Sequence, residues 1–337
     1  MNSKSDQPLT FVLRVIVFLA LQSFIGLVIH RYSSTEDSNH YLAVMRDKTH
    51  RIETTLGPRT IILGGSNTVF GMHSPVIEAT LGQPVVNLGL HVSLGLEFPM
   101  RCYLPHAHPG DVVILCPEYH VLADESQMTG DPVVTNQLIE QWPDARKYLP
   151  AKDDDSWKAF FDHDSVLLMH QWVHRSIKMI RGRDQIDKVY RRSSFNEHGD
   201  LVAHYDKTPP ARLPMAGLRT PNASTLNRAT QTLNQFEKQC RERGVTVYFA
   251  YPPFARSTYK QSLVAVEKIQ HAMLSHCAIP TLNEPIDNVY EDDCFFDSSY
   301  HLRAESGRNQ SQRIANAVSQ NMRLLQARKS SKIGNAF

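Results

Sequence analysis

Short apolar runs bounded by glycine or proline recur along this chain, and they constrain its fold more than any other feature. Four of these runs are predicted strands, and a weaker fifth follows; they span 60–63, 84–90, 111–115, 245–250 and 279–282. Continuous apolar runs are typical of strands that are covered on both faces. Helical stretches at 224–243 and 304–327 alternate with them. The pattern predicts an α/β fold, with a central parallel sheet between two helical layers in a three-layer sandwich.

An apolar stretch at 10–29 stands out from an otherwise ordinary composition, because only three polar residues interrupt it. About 20 apolar residues suffice for a helix to cross a bilayer. Lys4 and Arg14 favour a cytoplasmic N terminus. A cleaved signal peptide and a buried core helix are the alternatives, but no small-residue cleavage site follows the stretch. We therefore predict a transmembrane anchor over 1–31, with the rest of the chain on the extracytoplasmic side.

The remaining sequence divides by composition into a linker, a large domain and a tail. Residues 32–57 carry mixed charge and are predicted to form a linker helix. The α/β domain is predicted over 58–327, with a helical insertion at 121–215 where no strand pattern occurs. Residues 328–337 are predicted to be a disordered tail.

Charge and cysteine content exclude several classes of function. The net charge is +2 over 337 residues, so no nucleic-acid partner is predicted. The five cysteines are scattered, and none has the spacing to histidine of a zinc site. His170 and His174 are spaced like a helical metal pair, but they lack the glutamate of that motif. We predict no metal and no cofactor.

Two segments far apart in the sequence carry the groups of a serine hydrolase. Gly-Gly-Ser-Asn at 64–67 follows the first predicted strand, so a tight turn would expose the hydroxyl of Ser66. Asp297 and His301 lie together in a loop near the C terminus. A serine nucleophile needs a nearby base, and the base needs a group that orients it. We predict that Ser66 lies within hydrogen-bond reach of His301.

Further polar or small residues fall at the ends of other predicted strands. Because ligands of parallel sheets bind beyond the carboxyl ends of the strands, one crevice could collect these residues. They are Asn67 after the first strand, Asn87 and Gly89 in the second, and Glu118 after the third.

The order of these blocks resembles the SGNH (GDSL-like) hydrolase superfamily over roughly 58–120 and 240–325. The matching stretches are Ile-Leu-Gly-Gly-Ser-Asn, Val-Val-Asn-Leu-Gly-Leu, Pro-Glu-Tyr and Phe-Asp-Ser-Ser-Tyr-His-Leu-Arg-Ala-Glu-Ser-Gly-Arg. The resemblance implies a flavodoxin-like sheet. It is greatest to anchored members of the bacterial cytoplasmic membrane that accompany acylation of the cell surface.

The resemblance also implies roles for individual residues. Ser66 would be the nucleophile, His301 the base, and Asp297 the group that orients His301. The Ser66 amide and an amide in the loop 87–93 would stabilise the oxyanion.

This chain departs from the superfamily pattern at three places. The usual Asp-x-x-His is Asp-x-x-x-His here, so Asp293 is an alternative acid. Val92 replaces the usual glycine of the second block, and Glu118 stands where the third block has an asparagine. We expect Asn87 or Asn67, and Asn87 before Asn67, to supply the missing oxyanion donor. We expect Glu118 to pair with a cation or to turn away.

Two functions from different classes follow from this sequence. The first is a membrane-anchored serine acyl esterase or O-acyltransferase that acts on an acylated or acyl-accepting surface glycan. The second is a catalytically silent accessory protein that uses the same crevice to bind a glycan or a membrane-bound acyltransferase.

Overall fold

A computed structural model describes residues 6–33, 39–149, 188–208, 210, 212–214 and 217–334 of the chain. The described residues fall into two units. Helix α1 (Asp6–Ser33) belongs to the first unit. The second unit, which comprises Asn39–Ala151 and Lys188–Phe337, contains the sheet and all predicted site residues.

The sheet in the described part of the second unit has four parallel strands in the order β2-β1-β3-β4. The strands are β1 (Thr60–Gly64), β2 (Val85–Asn87), β3 (Val112–Cys116) and β4 (Thr246–Phe249). All four lie within one residue of a predicted run, so the parallel α/β sheet is confirmed. The weak fifth run at 279–282 contributes one bridge, from Thr281 to Phe249. A short second sheet pairs β5 (Phe254–Ala255) with β6 (Val289–Tyr290).

Helices cover both faces of the sheet. Neighbouring residues of a strand point to opposite faces, so they pack in different apolar clusters. Ile61 packs in one apolar cluster with Leu233 and Ile269. Ile62, the next residue of β1, packs in a different cluster with Ile314. The helices of the second unit are α2 (Val44–Thr54), α3 (Ser66–Gly71), α4 (Ser74–Leu81), α5 (Glu97–Tyr103), α6 (Tyr119–Ala123), α7 (Glu125–Thr129), α8 (Pro132–Gln141), α9 (Ala223–Glu242), α10 (Arg256–His276) and α11 (Ala304–Gly334). Leu233 lies on α9, Ile269 on α10 and Ile314 on α11.

The strand order creates a crevice beside β1. The chain passes from β1 to β2 on one side and then returns to place β3 on the other side. The connections that follow β1 and β3 therefore leave in different directions from the carboxyl edge. A crevice at such a point is where open α/β sheets bind ligands. Ser66 follows β1, and Glu118 follows β3.

The predicted segment boundaries differ from those of the structure at both ends of the α/β domain. Residues 32–57 were predicted as a linker, but α2 packs into the core through the buried side chains of Met45 and Ile52. Helix α11 continues to Gly334, so residues 328–334 are helical rather than a disordered tail, and 335–337 lie outside the described residues.

The predicted insertion at 121–215 is helical in its first part, through α6, α7 and α8. Residues 150–187 lie outside the described residues. The chain then continues as irregular structure that contains a short 3-10 helix at Arg192–Ser194 and a bridge between Phe195 and Leu201. All five cysteines are described, and all are free thiols. Cys116 is fully buried in β3, as predicted.

Helix α1 includes the whole apolar stretch at 10–29, so the predicted helix is formed. Several of its large apolar side chains are exposed, among them Phe11, Ile16 and Phe24. None of the helices in the described part of the chain has the combined length and apolarity that crossing a membrane requires.

Candidate active site

Two glycines between β1 and α3 let the Ser66 turn approach β3 closely. A Cβ on Gly64 would lie 2.4 Å from the carbonyl oxygen of Cys116. A Cβ on Gly65 would lie 2.8 Å from Oε1 of Glu118. Real Cβ atoms essentially never come closer than 3.0 Å, so the approach to the Cys116 backbone requires glycine at 64, and glycine at 65 leaves room for the Glu118 carboxylate. Ser66 thereby begins α3 directly beside the loop that follows β3.

Ser66, His301 and Asp297 form a continuous hydrogen-bonded chain. The Oγ of Ser66 is 2.8 Å from Nε2 of His301, as predicted. The Nδ1 of His301 is 2.6 Å from Oδ1 of Asp297. The extra residue between Asp297 and His301 is accommodated by the loop, which closes with a bond from the Phe296 amide to the His301 carbonyl at 2.8 Å. The structure brings Asp297 to His301, whereas Asp293 contacts the neighbouring Cys294.

The ring of His301 is held by packing as well as by hydrogen bonds. Phe70, which lies on α3 with Ser66, stacks on His301 at 4.0 Å between ring centroids and 6° between planes. His204 packs against Phe70 and donates from Nε2 to the carbonyl of Leu302 at 3.0 Å. Burial lowers the pKa of His204 to about 4, so it is neutral near pH 7. Ser66 and His301 are therefore held close to each other through Phe70, which shares a helix with Ser66 and stacks on His301.

Tyr190 contacts the acid of the triad, and sequence reasoning missed it. Its hydroxyl donates to Oδ2 of Asp297 at 2.5 Å and lies 3.5 Å from Nδ1 of His301. Burial alone would raise the pKa of Asp297. The hydrogen bond and charge of His301, together with the bond from Tyr190, outweigh burial and lower that pKa below its usual value. Tyr190 lies 107 residues before Asp297, and no motif in the sequence marks it.

Glu118 lies against the nucleophile, contrary to both expectations for it. Its side chain is buried. Its Oε1 accepts hydrogen bonds from the Ser66 hydroxyl at 2.9 Å and from the backbone amide of Asn67 at 3.0 Å. The prediction that Glu118 turns away or pairs with a cation is wrong. The glycine at position 65 leaves the space that this carboxylate fills.

The single proton of the Ser66 hydroxyl has two acceptors in competition. When it is donated to Glu118, Nε2 of His301 must carry a proton to maintain its own contact with Ser66. An imidazole in that state cannot act as a base. When the proton is donated to His301, Ser66 is prepared for attack. The Oε1 of Glu118 then faces Oγ of Ser66 without receiving a proton from it. The choice of acceptor for the Ser66 proton, Glu118 or His301, therefore decides whether the triad is set for attack.

The side-chain amides of Asn87 and Asn67 and the backbone amide of Gly89 hold the framework together instead of facing the crevice. The Asn87 amide is fully buried and donates to the Thr68 carbonyl at 3.0 Å and to Asp200 at 2.9 Å. The side-chain amide of Asn67 donates to the Cys116 carbonyl at 2.9 Å. The backbone amide of Gly89 donates to Asn87 at 3.1 Å. The expectation that an asparagine side chain points into the crevice is wrong, because both amides are used in buried bonds.

Lys48 and Asp200, which the sequence did not single out, hold this second block in place. The Lys48 ammonium donates to the carbonyls of Asn87 at 2.9 Å, Gly89 at 2.6 Å and Gly199 at 2.7 Å. Asp200 accepts from both the amide and the hydroxyl of Ser74, at 2.8 and 2.6 Å. Two charged groups from segments predicted as a linker and an insertion thus build the floor of the crevice.

A cavity of about 510 Å³ opens onto the nucleophile, and Val92 lines it as predicted for that loop. Its volume is within the range of about 300–1,000 Å³ that is common for small-molecule sites. One end holds Ser66, Glu118 and His301. The remaining walls combine apolar and polar side chains, namely Val92, Ala123, Leu218, Tyr300, His120, Asp124, Gln127, Ser298 and Arg219.

A scan against models of protein families finds no match to this chain, and a search of curated proteins finds no significant match either.

Proposed function

We propose that this chain is a serine acyl esterase or O-acyltransferase of the SGNH type. One observation carries the proposal: Ser66, His301 and Asp297 lie in a chain of contacts of 2.8 and 2.6 Å at the edge of a cavity. Ser66 lies 235 positions before His301, so local chain geometry alone does not explain why it meets the pair formed by Asp297 and His301. This is the arrangement that activates a serine hydroxyl for attack on an acyl group.

The proposed reaction proceeds through an ester on Ser66. His301 takes the proton of the hydroxyl at Nε2 while Oγ attacks the carbonyl carbon of an acyl ester. The tetrahedral intermediate collapses, and His301 gives the proton to the departing alcohol. Water or a second alcohol then attacks the acyl-enzyme and loses its proton to His301, which returns it to Oγ of Ser66 as the bond from Oγ to the acyl group breaks. Asp297 keeps Nδ1 as the donor and stabilises the imidazolium throughout.

The backbone amide of Asn67 is the described group best suited to the developing oxyanion. It follows the nucleophile directly and points at an oxygen 3.0 Å away, which in this state belongs to Glu118. A substrate carbonyl would take the place of that carboxylate oxygen. Hydrolysis and transfer share the acyl-enzyme and differ only in the attacking group. We propose a surface glycan as the donor or acceptor because of the superfamily that the motifs resemble.

A fluorophosphonate probe tests whether Ser66 is a nucleophile. We expect the probe to label the full-length chain at one site and Ser66→Ala not at all, because the probe requires an activated serine hydroxyl. Ser298→Ala is the matched control, since Ser298 lines the same cavity and is not part of the triad. Labelling of Ser66→Ala equal to that of the wild type would contradict the proposal.

Glu118 favours a second candidate function, a silent accessory protein. A carboxylate at 2.9 Å from the nucleophile opposes formation of a negative oxyanion beside it. In that case the same cavity would bind a glycan or a membrane-bound acyltransferase without covalent chemistry. Absence of labelling in both the wild type and Glu118→Gln, in folded protein, would favour this candidate over the enzyme.

We also propose that α1 attaches the chain to a bilayer, with the α/β unit outside the cytoplasm. The exposed apolar side chains of α1 support this proposal. We expect the wild type to remain in the membrane fraction after an alkaline wash. The double substitution Val17→Lys and Leu21→Lys should release it, because a lysine side chain is far less favourable than valine or leucine in the apolar part of a bilayer. Val264→Lys, at an exposed apolar position of α10, is the control. Wild-type protein in the soluble fraction would contradict the attachment.

A further inference from the structure

A segment within the predicted insertion at 121–215 supplies a phenol to the catalytic triad. Tyr190 donates to Oδ2 of Asp297 at 2.5 Å, and His301 occupies the other oxygen, Oδ1, at 2.6 Å. Both oxygens of the carboxylate therefore have a donor, one from each side. The carboxylate cannot rotate without breaking at least one of these bonds.

Packing fixes the phenol in this position. The Tyr190 ring lies 5.5 Å from the Phe70 ring and 5.6 Å from the Tyr41 ring, measured between centroids. Phe70 also stacks on His301, so one aromatic ring contacts both partners of Asp297. The Leu201 amide bonds to the Val69 carbonyl at 2.8 Å and ties the same segment to α3. The segment 188–201 is therefore docked on the helix that carries the nucleophile.

We infer that Tyr190 is a positioning residue that holds the Asp297 carboxylate in line with His301 and stabilises its negative charge. The inference rests on the proposed function, since it assigns a role within the same triad. A hydrogen bond to a charged acceptor is stronger than one between neutral groups. The bond from Tyr190 therefore keeps the shared proton on the imidazole side of the Asp297–His301 contact, where it must be for His301 to accept from Ser66 at Nε2. Tyr190 does not line the cavity, so it acts through Asp297.

The substitution Tyr190→Phe removes the hydroxyl and keeps the ring. We expect the rate of Ser66 labelling, and kcat for a small acetyl ester, to fall roughly 10- to 100-fold with KM nearly unchanged. The acid limb of the pH profile should move to higher pH, because a carboxylate that has lost a donor makes the pair bind its proton more readily. A residue that only supports the fold would lower the amount of active protein and leave the pH midpoint unchanged.

Tyr205→Phe is the matched control, because Tyr205 lies in the same part of the chain and its hydroxyl is 3.4 Å from His73 rather than near the triad. In an Asp297→Asn background, Tyr190→Phe should add little further loss, since its partner is already changed. Additive losses, or a Tyr190→Phe profile equal to that of Tyr205→Phe, would overturn the inference.

The proposed function and this inference can fail separately. The NMR chemical shift of the proton on Nδ1 of His301 needs no substrate, so it reports on the Asp297 contact that Tyr190 supports even in a silent protein. A shift of that signal in Tyr190→Phe without any labelling of the wild type would retain the contact and reject the enzyme. Wild-type labelling with no shift in Tyr190→Phe would retain the enzyme and reject the role of Tyr190.

Discussion

Asp297→Asn is expected to slow acylation of Ser66 by about 10³–10⁴-fold while the chain stays folded. The asparagine amide would present a donor to Nδ1 of His301, which then has to carry its proton on Nε2. In that tautomer His301 cannot take the proton from the Ser66 hydroxyl, which lies 2.8 Å from Nε2. The effect is on kcat, because Asp297 does not line the cavity. Steady-state hydrolysis of a small acetyl ester and the rate of fluorophosphonate labelling both measure it.

Asp293→Asn is the matched control for this experiment. Asp293 lies four residues before Asp297, and its substitution by asparagine removes the same charge. Its carboxylate contacts Cys294 and not His301. We expect its activity to remain near that of the wild type. If Asp293→Asn showed the loss expected of Asp297→Asn, and Asp297→Asn kept the activity of the wild type, the assignment of the acid would be reversed. Circular dichroism and thermal melting of both variants separate loss of chemistry from loss of fold.

Glu118→Gln is expected to increase ester hydrolysis near neutral pH by about 10²–10³-fold, the range that one oxyanion donor is worth. The glutamate oxygen now takes the bond of the Asn67 amide and competes for the proton of Ser66. A glutamine has nearly the same shape but carries no negative charge, and its amide nitrogen can donate. Both the repulsion of the oxyanion and the competition for the Ser66 proton would therefore decrease.

Glu125→Gln provides the control, since Glu125 lies on α7 at the surface and pairs with Arg228. Loss of activity in Glu118→Gln would mean that the carboxylate itself takes part in the reaction, and the role given to the Asn67 amide would then need replacement. A gain would identify Glu118 as the group that restrains hydrolysis and would favour transfer over hydrolysis.

The sheet was predictable because its signal is local. A strand buried on both faces needs consecutive apolar residues, and Gly or Pro must end it, so β1 and β3 are visible in the sequence. The same logic failed at 32–57, where mixed charge suggested a linker. Helix α2 carries Lys48, a charged residue that is buried because it donates to three backbone carbonyls. Composition cannot reveal such partners, since they lie 39 or more residues away.

The sequence by itself determined which groups could do chemistry here. Ser66 had to follow a strand on a turn of two glycines, and Asp297 and His301 had to share a loop, because these are properties of neighbouring residues. Their meeting with Ser66 across 235 positions depended on the whole fold, because the loop that carries them follows no strand of the four-stranded sheet.

Only the tertiary structure decided what surrounds the nucleophile. It turned Asn87 into a buried support, set the Glu118 carboxylate against Ser66, and brought Tyr190 to Asp297. Each of these outcomes depends on the direction of one side chain, and direction is set by packing among segments distant in the chain. A one-dimensional pattern shows which residues lie at a strand end, whereas hydrogen bonds form only between atoms whose distance and angle the whole fold has fixed.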